Sequence, residues 1–254
     1  MIWCAIRGIG NKRTPEDMHK IPIIAHRGAS GYEPENTLAA FRSAMEMQAD
    51  AIEFDVQICK TGEILVFHDK RVKKITGARG KIKKRKLAGL RKLDAGKGEH
   101  IPTLKETLDF LDAKIDLNIE LKSKNSALAT ALVIRNSIRT GNWKPENFFI
   151  SSFFHRELRR FHEICPEVPI GLLYNGRPKK LKKRIRLFNP IAVHLNVQNI
   201  KEKWVRLAHD HGLKVYVWTV DDPKVAKLLS ADGVDGFFSN YPDRLIKHRA
   251  NFKV

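Results

Sequence analysis

Short apolar runs rich in β-branched and aromatic residues recur along the chain, and most are followed by stretches whose apolar positions fall three or four apart. A strand alternates its faces with period two and an amphipathic helix repeats near 3.6, so this succession predicts βα units around a parallel sheet. The strand candidates centre on Ile23–Ala25, Ala51–Val56, Ile64–Phe67, Ile115–Leu121, Phe148–Ser151, Ile170–Tyr174, Ile191–Leu195, Val215–Val220 and Gly236–Phe238. Helices are expected near Thr37–Met47, Ser126–Ile138, His155–Ile164, Lys201–His211, Pro223–Leu229 and Pro242–Arg249. Another opens at Thr103, whose spacing to Glu106 makes a capping box ahead of Leu104, Leu108 and Leu111.

That list holds one strand more than an eight-stranded α/β barrel allows. Parallel neighbours need a crossover of about a dozen residues or more, and the link from Val56 to Ile64 is shorter. These two runs therefore read as an antiparallel hairpin turning at Lys60-Thr61-Gly62, and counting back along its arms sets His68 beside Glu53 or Asp55. The remaining strands predict an α/β fold with a single (β/α)8 TIM barrel over residues 21–250, preceded by an N-terminal extension at 1–20. Functional groups in such a barrel gather at the C-terminal ends of the strands. Lys70 to His100, rich in Gly, Lys and Arg, lacks a clear period and is expected to form a short basic excursion over that face.

Charge changes the picture in two places. The 254 residues carry a net charge of +19, concentrated at Arg71–Lys92 and Arg177–Arg186. In the second run Leu181, Ile185 and Phe188 recur at helical spacing, so its basic residues cover a solvent face. Neither run has the aromatic interleaving or motif of a nucleic-acid site, whereas both suit peripheral contact with an anionic membrane surface. With 43% hydrophobic and 30% charged residues the chain reads as globular, and its apolar runs are too short to span a membrane. Cys4, Cys59 and Cys165 are scattered, and Met1–Ile6 leads into charges at Arg7 and Lys12 without a signal-peptide pattern; together these predict a cytoplasmic protein without disulfides.

The candidate chemistry lies in polar residues at strand ends. Glu53 and Asp55 are two apart in an apolar strand, so both point to one face, where two carboxylates repel and a divalent cation would relieve them. Glu120 repeats this placement in Asn118-Ile119-Glu120-Leu121-Lys122 and would be the third ligand. Oxygen-only ligation favours Mg²⁺ or Ca²⁺ over zinc. His26 ends the first strand and His68 the hairpin return, where both can move protons. Arg27 and Lys122 set two cations against a bound anion, and Gly28 lets the backbone approach it. Pro34-Glu35-Asn36-Thr37 reads as a helix start with an Asn or Thr cap. Trp218 shares a face with Tyr216 near a strand end, as core or as a substrate platform. The other histidines, His155, His162, His194, His209 and His211 among them, read as structural or solvated. Together these groups point to metal-assisted cleavage of a phosphate ester.

At these residues the chain resembles the glycerophosphodiester phosphodiesterase family, among the phosphatidylinositol phospholipase C-like phosphodiesterase barrels. The resemblance runs from about Ile23 to Pro242. It rests on His26-Arg27-Gly28 followed by Pro34-Glu35-Asn36-Thr37, Glu53-x-Asp55, the hairpin from Thr61-Gly62 to His68-Asp69, Ile101–Leu104, Asn118–Lys122, Ser151–Phe153, Val217–Thr219 and Gly233–Gly236. It implies a (β/α)8 barrel, one divalent cation on Glu53, Asp55 and Glu120, His26 and His68 as general acid and base, and Arg27 with Lys122 on the phosphate. The implied substrates are small glycerophosphodiesters such as glycerophosphocholine or glycerophosphoethanolamine, cleaved through a cyclic phosphate to glycerol 3-phosphate and an alcohol. Lys74 and Ser239-Asn240 depart from the family's usual residues, and neither is expected to touch the metal or proton chemistry. Two other readings are a lysophospholipase D-like or sphingolipid phospholipase D-like enzyme at a membrane, and a catalytically vestigial barrel that binds polyanions. Retention of every polar position speaks against the last.

Overall fold

The computed structural model describes residues 21–252, so the extension expected at 1–20 lies outside the described residues. The strands are β1 (Ile23–His26), β2 (Ala51–Ile58), β3 (Ile64–Val66), β4 (Asp116–Leu121), β5 (Phe148–Ser152), β6 (Ile170–Tyr174), β7 (Ala192–Asn196), β8 (Lys214–Trp218) and β9 (Gly236–Ser239). Eight are parallel and close on themselves in the order β1, β9, β8, β7, β6, β5, β4, β2, with β1 paired to β2 through Ile24–Ala51 and His26–Glu53. β3 is the extra strand. It runs antiparallel to the end of β2, Val56 opposite Val66 and Ile58 opposite Ile64. β2 is twice as long as β1, so its last residues project past the closed ring and need a partner for their backbone groups.

Alternation along the strands divides two kinds of packing. Outward side chains such as Ile52, Phe54 and Val56 pack under the helices; Phe54 meets Phe41 of helix Leu38–Glu46 at 5.4 Å between ring centroids, and both are fully buried. Burial of such a ring contributes about 1.5–3 kcal/mol. Inward side chains fill the barrel from below. Phe149, His194, Tyr216 and Phe238 stack ring against ring at 5.0–6.3 Å and form its floor. Gly171 makes room for them, since a Cβ there would lie 2.6 Å from the Phe149 ring. With the floor apolar and packed, the polar residues of β1, β2 and β4 are confined to the upper end.

The capping box forms: Thr103 Oγ1 accepts from the Glu106 N–H, and the Glu106 carboxylate accepts from the Thr103 N–H at 2.9 Å. Helix Leu181–Phe188 buries Leu181 and Phe188 and exposes Lys182 and Lys183, as its spacing predicts. β8 stops at Trp218, two residues short of the expected limit, and the Val220 N–H turns to the Phe238 carbonyl. The excursion is more ordered than its sequence suggests. It holds helical turns at Lys73–Thr76, Ile82–Lys84 and Leu87–Leu90, too short to show a period. Val72, Ile82 and Leu90 join Leu65, Phe67 and Ile101 in a small core of their own. Among the described residues no helix is long and apolar enough to cross a membrane.

Candidate active site

β1, β2 and β4 deliver their polar residues to one point above the floor. The in-facing Glu53 and Asp55 of β2 stand beside Glu120 of β4, which is in register with Asp55. All three carboxylates are buried, and each offers an oxygen within 4.8 Å of the others. Arg27 and Lys122 partly balance them: Arg27 Nε lies 3.3 Å and Lys122 Nζ 3.6 Å from Asp55, and Lys122 is 2.9 Å from Glu120. Arg27 also donates its backbone N–H to Glu53 at 2.9 Å and pairs with Glu35 at the same distance.

The balance is incomplete. Burial, then Asp55 and Glu120, push Glu53 well above the usual carboxylate range. Burial and Asp55 push Glu120 up to about 7 despite its lysine. Burial acts the same way on Asp55, but Lys122 and Arg27 outweigh it and hold this carboxyl below its usual value. Three buried acids that two cations cannot neutralise, with only oxygen donors, fit a hard divalent cation.

The histidines stand on either side. His26 Nε2 is 4.0 Å from Glu53, and burial with the neighbouring Arg27 lowers its pKa to about 4, so the ring is neutral at pH 7. Its Nδ1 is 2.8 Å from Asn240 Oδ1, which also accepts from Ser30, while Asn240 donates its amide N–H to Asp221 at 2.9 Å. That network makes Nδ1 the protonated nitrogen of His26 and leaves the lone pair on Nε2. His68 follows β3, where the Phe67 N–H bonds the Asp55 carbonyl, one residue from the predicted register. Its Nδ1 lies 2.7 Å from Asp69 Oδ1. Gln57 fixes the turn that carries it, donating to the carbonyls of Phe67, His68 and Asp69 at 2.8–2.9 Å.

The structure brings together all eight residues singled out from sequence. A cavity of about 250 Å³ is lined by His26, Arg27, Glu53, His68, Glu120, Lys122 and Trp218, and Asp55 lies just behind. Trp218 meets Phe153 edge-on at 5.8 Å on its wall, and His194 reaches it from the floor, held neutral by burial with a pKa of about 3. Gly28, at φ +79°, is obligatory here because a Cβ would come within 2.7 Å of the Ala40 backbone.

Sequence reasoning left three supporting residues unmarked, Ser30, Gln57 and Asp221, and left the first helix's cap open between Asn36 and Thr37. Of the two cap candidates Thr37 takes the role, and Asn36 exchanges two 3.1 Å hydrogen bonds with Asp55. Gln57 continues the period-two series of Glu53 and Asp55, which is a readable signal. Asp221 and Ser30 have none, whereas Asp69 was marked by its place in the His68-Asp69 motif. Ser239-Asn240 was expected to stay clear of the candidate proton-transfer residues, yet Asn240 bonds the ring of one of them, His26, at 2.8 Å.

The glycerophosphoryl diester phosphodiesterase family matches this chain over residues 26–244. The glycerophosphodiester phosphodiesterase of Caldanaerobacter subterraneus subsp. tengcongensis is 37% identical over 239 residues, spanning 89% of this chain and 97% of its own. Human lysophospholipase D GDPD1 is 27% identical over 279 residues, 91% of this chain and 87% of its own. A solved Oleispira antarctica phosphodiesterase, in complex with the product sn-glycerol-3-phosphate, shares the fold with a TM-score of 0.84 and 28% identity, over 90% of this chain and 96% of that one. With a match this extensive on a barrel whose mouth gathers two histidines about three carboxylates, the affiliation is plain: the chain belongs to the glycerophosphoryl diester phosphodiesterase family, enzymes that hydrolyse glycerophosphodiesters.

Proposed function

We propose that this protein is a divalent-metal-dependent glycerophosphodiester phosphodiesterase that releases glycerol 3-phosphate and an alcohol. The observation carrying the reading is the convergence of Glu53, Asp55 and Glu120 within 4.8 Å between two histidines. Mg²⁺ or Ca²⁺ suits these ligands, and once bound it supplies charge stabilisation at the phosphoryl oxygens. Arg27 and Lys122 hold the same oxygens, and Trp218 packs against the glycerol arm in the inner cavity.

In this reading the substrate's glycerol 2-hydroxyl attacks phosphorus. A bond from that oxygen to phosphorus forms, the bond from phosphorus to the alcohol oxygen breaks, and a cyclic phosphate results. His26 takes the hydroxyl proton on Nε2, the nitrogen that its bond to Asn240 leaves free. His68 gives a proton to the departing alcohol. Water then opens the ring with the two roles reversed, which restores both histidines. The free thiols of Cys59 and Cys165 support a cytoplasmic setting.

The test is glycerol 3-phosphate release from glycerophosphocholine, glycerophosphoethanolamine and glycerophosphoglycerol, with Mg²⁺, with Ca²⁺ and with chelator, using Glu53→Ala as the blank. Metal-dependent release lost in the variant is expected. Release that persists in chelator and in Glu53→Ala would refute the metal role. The human relative named a lysophospholipase D, together with the basic faces, favours a second reading in which lysolipid is the substrate. Turnover of micellar lysophospholipid without turnover of any small diester would select it.

A further inference from the structure

The excursion over the barrel mouth holds its charge in a concavity. Its two arms run antiparallel: Arg71 bridges Lys81, the Val72 N–H donates to the Gly80 carbonyl, and the Ile82 N–H donates to the Lys70 carbonyl. Alternation along these arms sends Val72 and Ile82 down into the small core and leaves Arg71, Lys73 and Lys81 exposed. With Lys70 and Lys74 they line a cavity of about 940 Å³ that also touches His68, Glu120 and Lys122, so it opens onto the carboxylate cluster. The acids on its wall are Asp69 and Glu120, which face His68 and Lys122. Among the described residues none of the five excursion cations has an acidic partner at ion-pair distance.

Such a grouping differs from the basic face of helix Leu181–Phe188. On a convex helix surface water solvates each cation separately. Around a concavity the fields add, and the potential focuses on whatever enters it. A second cavity of about 700 Å³ shares Lys70, Lys81 and Lys122 with the first and adds Lys60, Lys83 and Lys124, so the cationic track continues beyond it. His68 lines both the inner cavity and the 940 Å³ one, whereas His26 lines only the inner. With the histidine roles proposed above, the phosphodiester would lie at their junction, with its glycerol inside and its alcohol outward among the lysines.

We infer that the alcohol half of the substrate carries at least one further phosphate group, held by Lys70, Arg71, Lys73, Lys74 and Lys81. This rests on the diesterase reading above and narrows it. Choline and ethanolamine bring a positive charge where the wall repels it; a phosphorylated alcohol brings the charge the wall attracts.

The test compares kcat/KM of the full chain for glycerophosphocholine, for neutral glycerophosphoglycerol, and for glycerophosphoglycerol phosphorylated on its terminal hydroxyl. At low ionic strength the phosphorylated diester is expected to exceed the neutral one by about ten-fold or more, and glycerophosphocholine to fall below both. Added salt closes the gap, because the cations are exposed and screened. The triple variant Lys73→Gln, Lys74→Gln, Lys81→Gln brings the ratio of phosphorylated to neutral substrate toward one, and the salt titration needs only the native chain should that variant misfold. Equal rates for the two diesters at low salt, with release still metal-dependent, overturn this inference and leave the diesterase reading standing. Hydrolysis of none of the three overturns the diesterase reading and the inference with it.

Discussion

Glu120→Gln in metal-free protein tests the carboxylate cluster through stability rather than turnover. Burial and Asp55 raise Glu120 from the usual 4.5 to about 7 in the folded chain. Between those values the native state keeps a proton that the unfolded state has lost, so stability falls as pH rises through that window. The full cost is present above pH 7. At about 1.4 kcal/mol per pK unit it comes to about 3 kcal/mol. Glutamine imitates the protonated acid and escapes this cost. In chelator at pH 8 the variant should therefore melt above the wild type by about 6–12 °C, taking about 2–4 °C per kcal/mol for a chain of this size. Near pH 4.5 the two should converge. Added Mg²⁺ or Ca²⁺ should reverse the order, raising the wild type and leaving the variant little changed. Differential scanning calorimetry reads all of these. A variant no more stable than the wild type at pH 8 in chelator would refute the idea that these acids repel one another in the folded state.

Further outcomes follow from the same geometry. His26→Ala and His68→Ala should each lower kcat by about 10²-fold or more while circular dichroism stays native; near-full activity in either removes that histidine from the mechanism. Asn240→Ala frees the His26 ring and should reduce kcat more than KM, with Asp221→Ala giving a milder form of the same split; an effect confined to KM would show that the network does not position the base. Gly28→Ala must place a Cβ 2.7 Å from the Ala40 backbone at a left-handed φ, so it should cost at least about 1–2 kcal/mol, measured as a lower urea midpoint.

The ring of strands was legible because each strand carries its own period, and the hairpin because the seven residues between Val56 and Ile64 cannot cross over between parallel neighbours. Glu53 and Asp55 were legible for a similar reason, as acids on one face of an apolar strand are conspicuous. The role of Asn36 stayed open because a Pro-Glu-Asn-Thr sequence satisfies a helix start whichever residue caps it; Thr37 took that role and released Asn36 to Asp55. Asn240 and Asp221 could not be found by spacing. They reach His26 only because β9 lies next to β1 where the barrel closes, a contact between residues 214 apart. The order within the excursion escaped too, since its core is assembled from single residues on separate turns rather than from a repeating face.

Leu65 and Phe67 belong to the excursion's small core and lead directly to His68. His68 is thereby tied to that small core as well as to β2, through Gln57 and the Phe67 N–H, whereas Glu53, Asp55 and Glu120 stand on the closed ring. Loosening that core, by truncating Ile82 or Leu90, should displace His68 and leave Glu53, Asp55 and Glu120 in place. In the proposed reading two thresholds for heat or denaturant are then expected, the lower one ending turnover and the upper one ending cation affinity. Amide exchange at Val72 and Ile82 would report the first independently of the barrel strands.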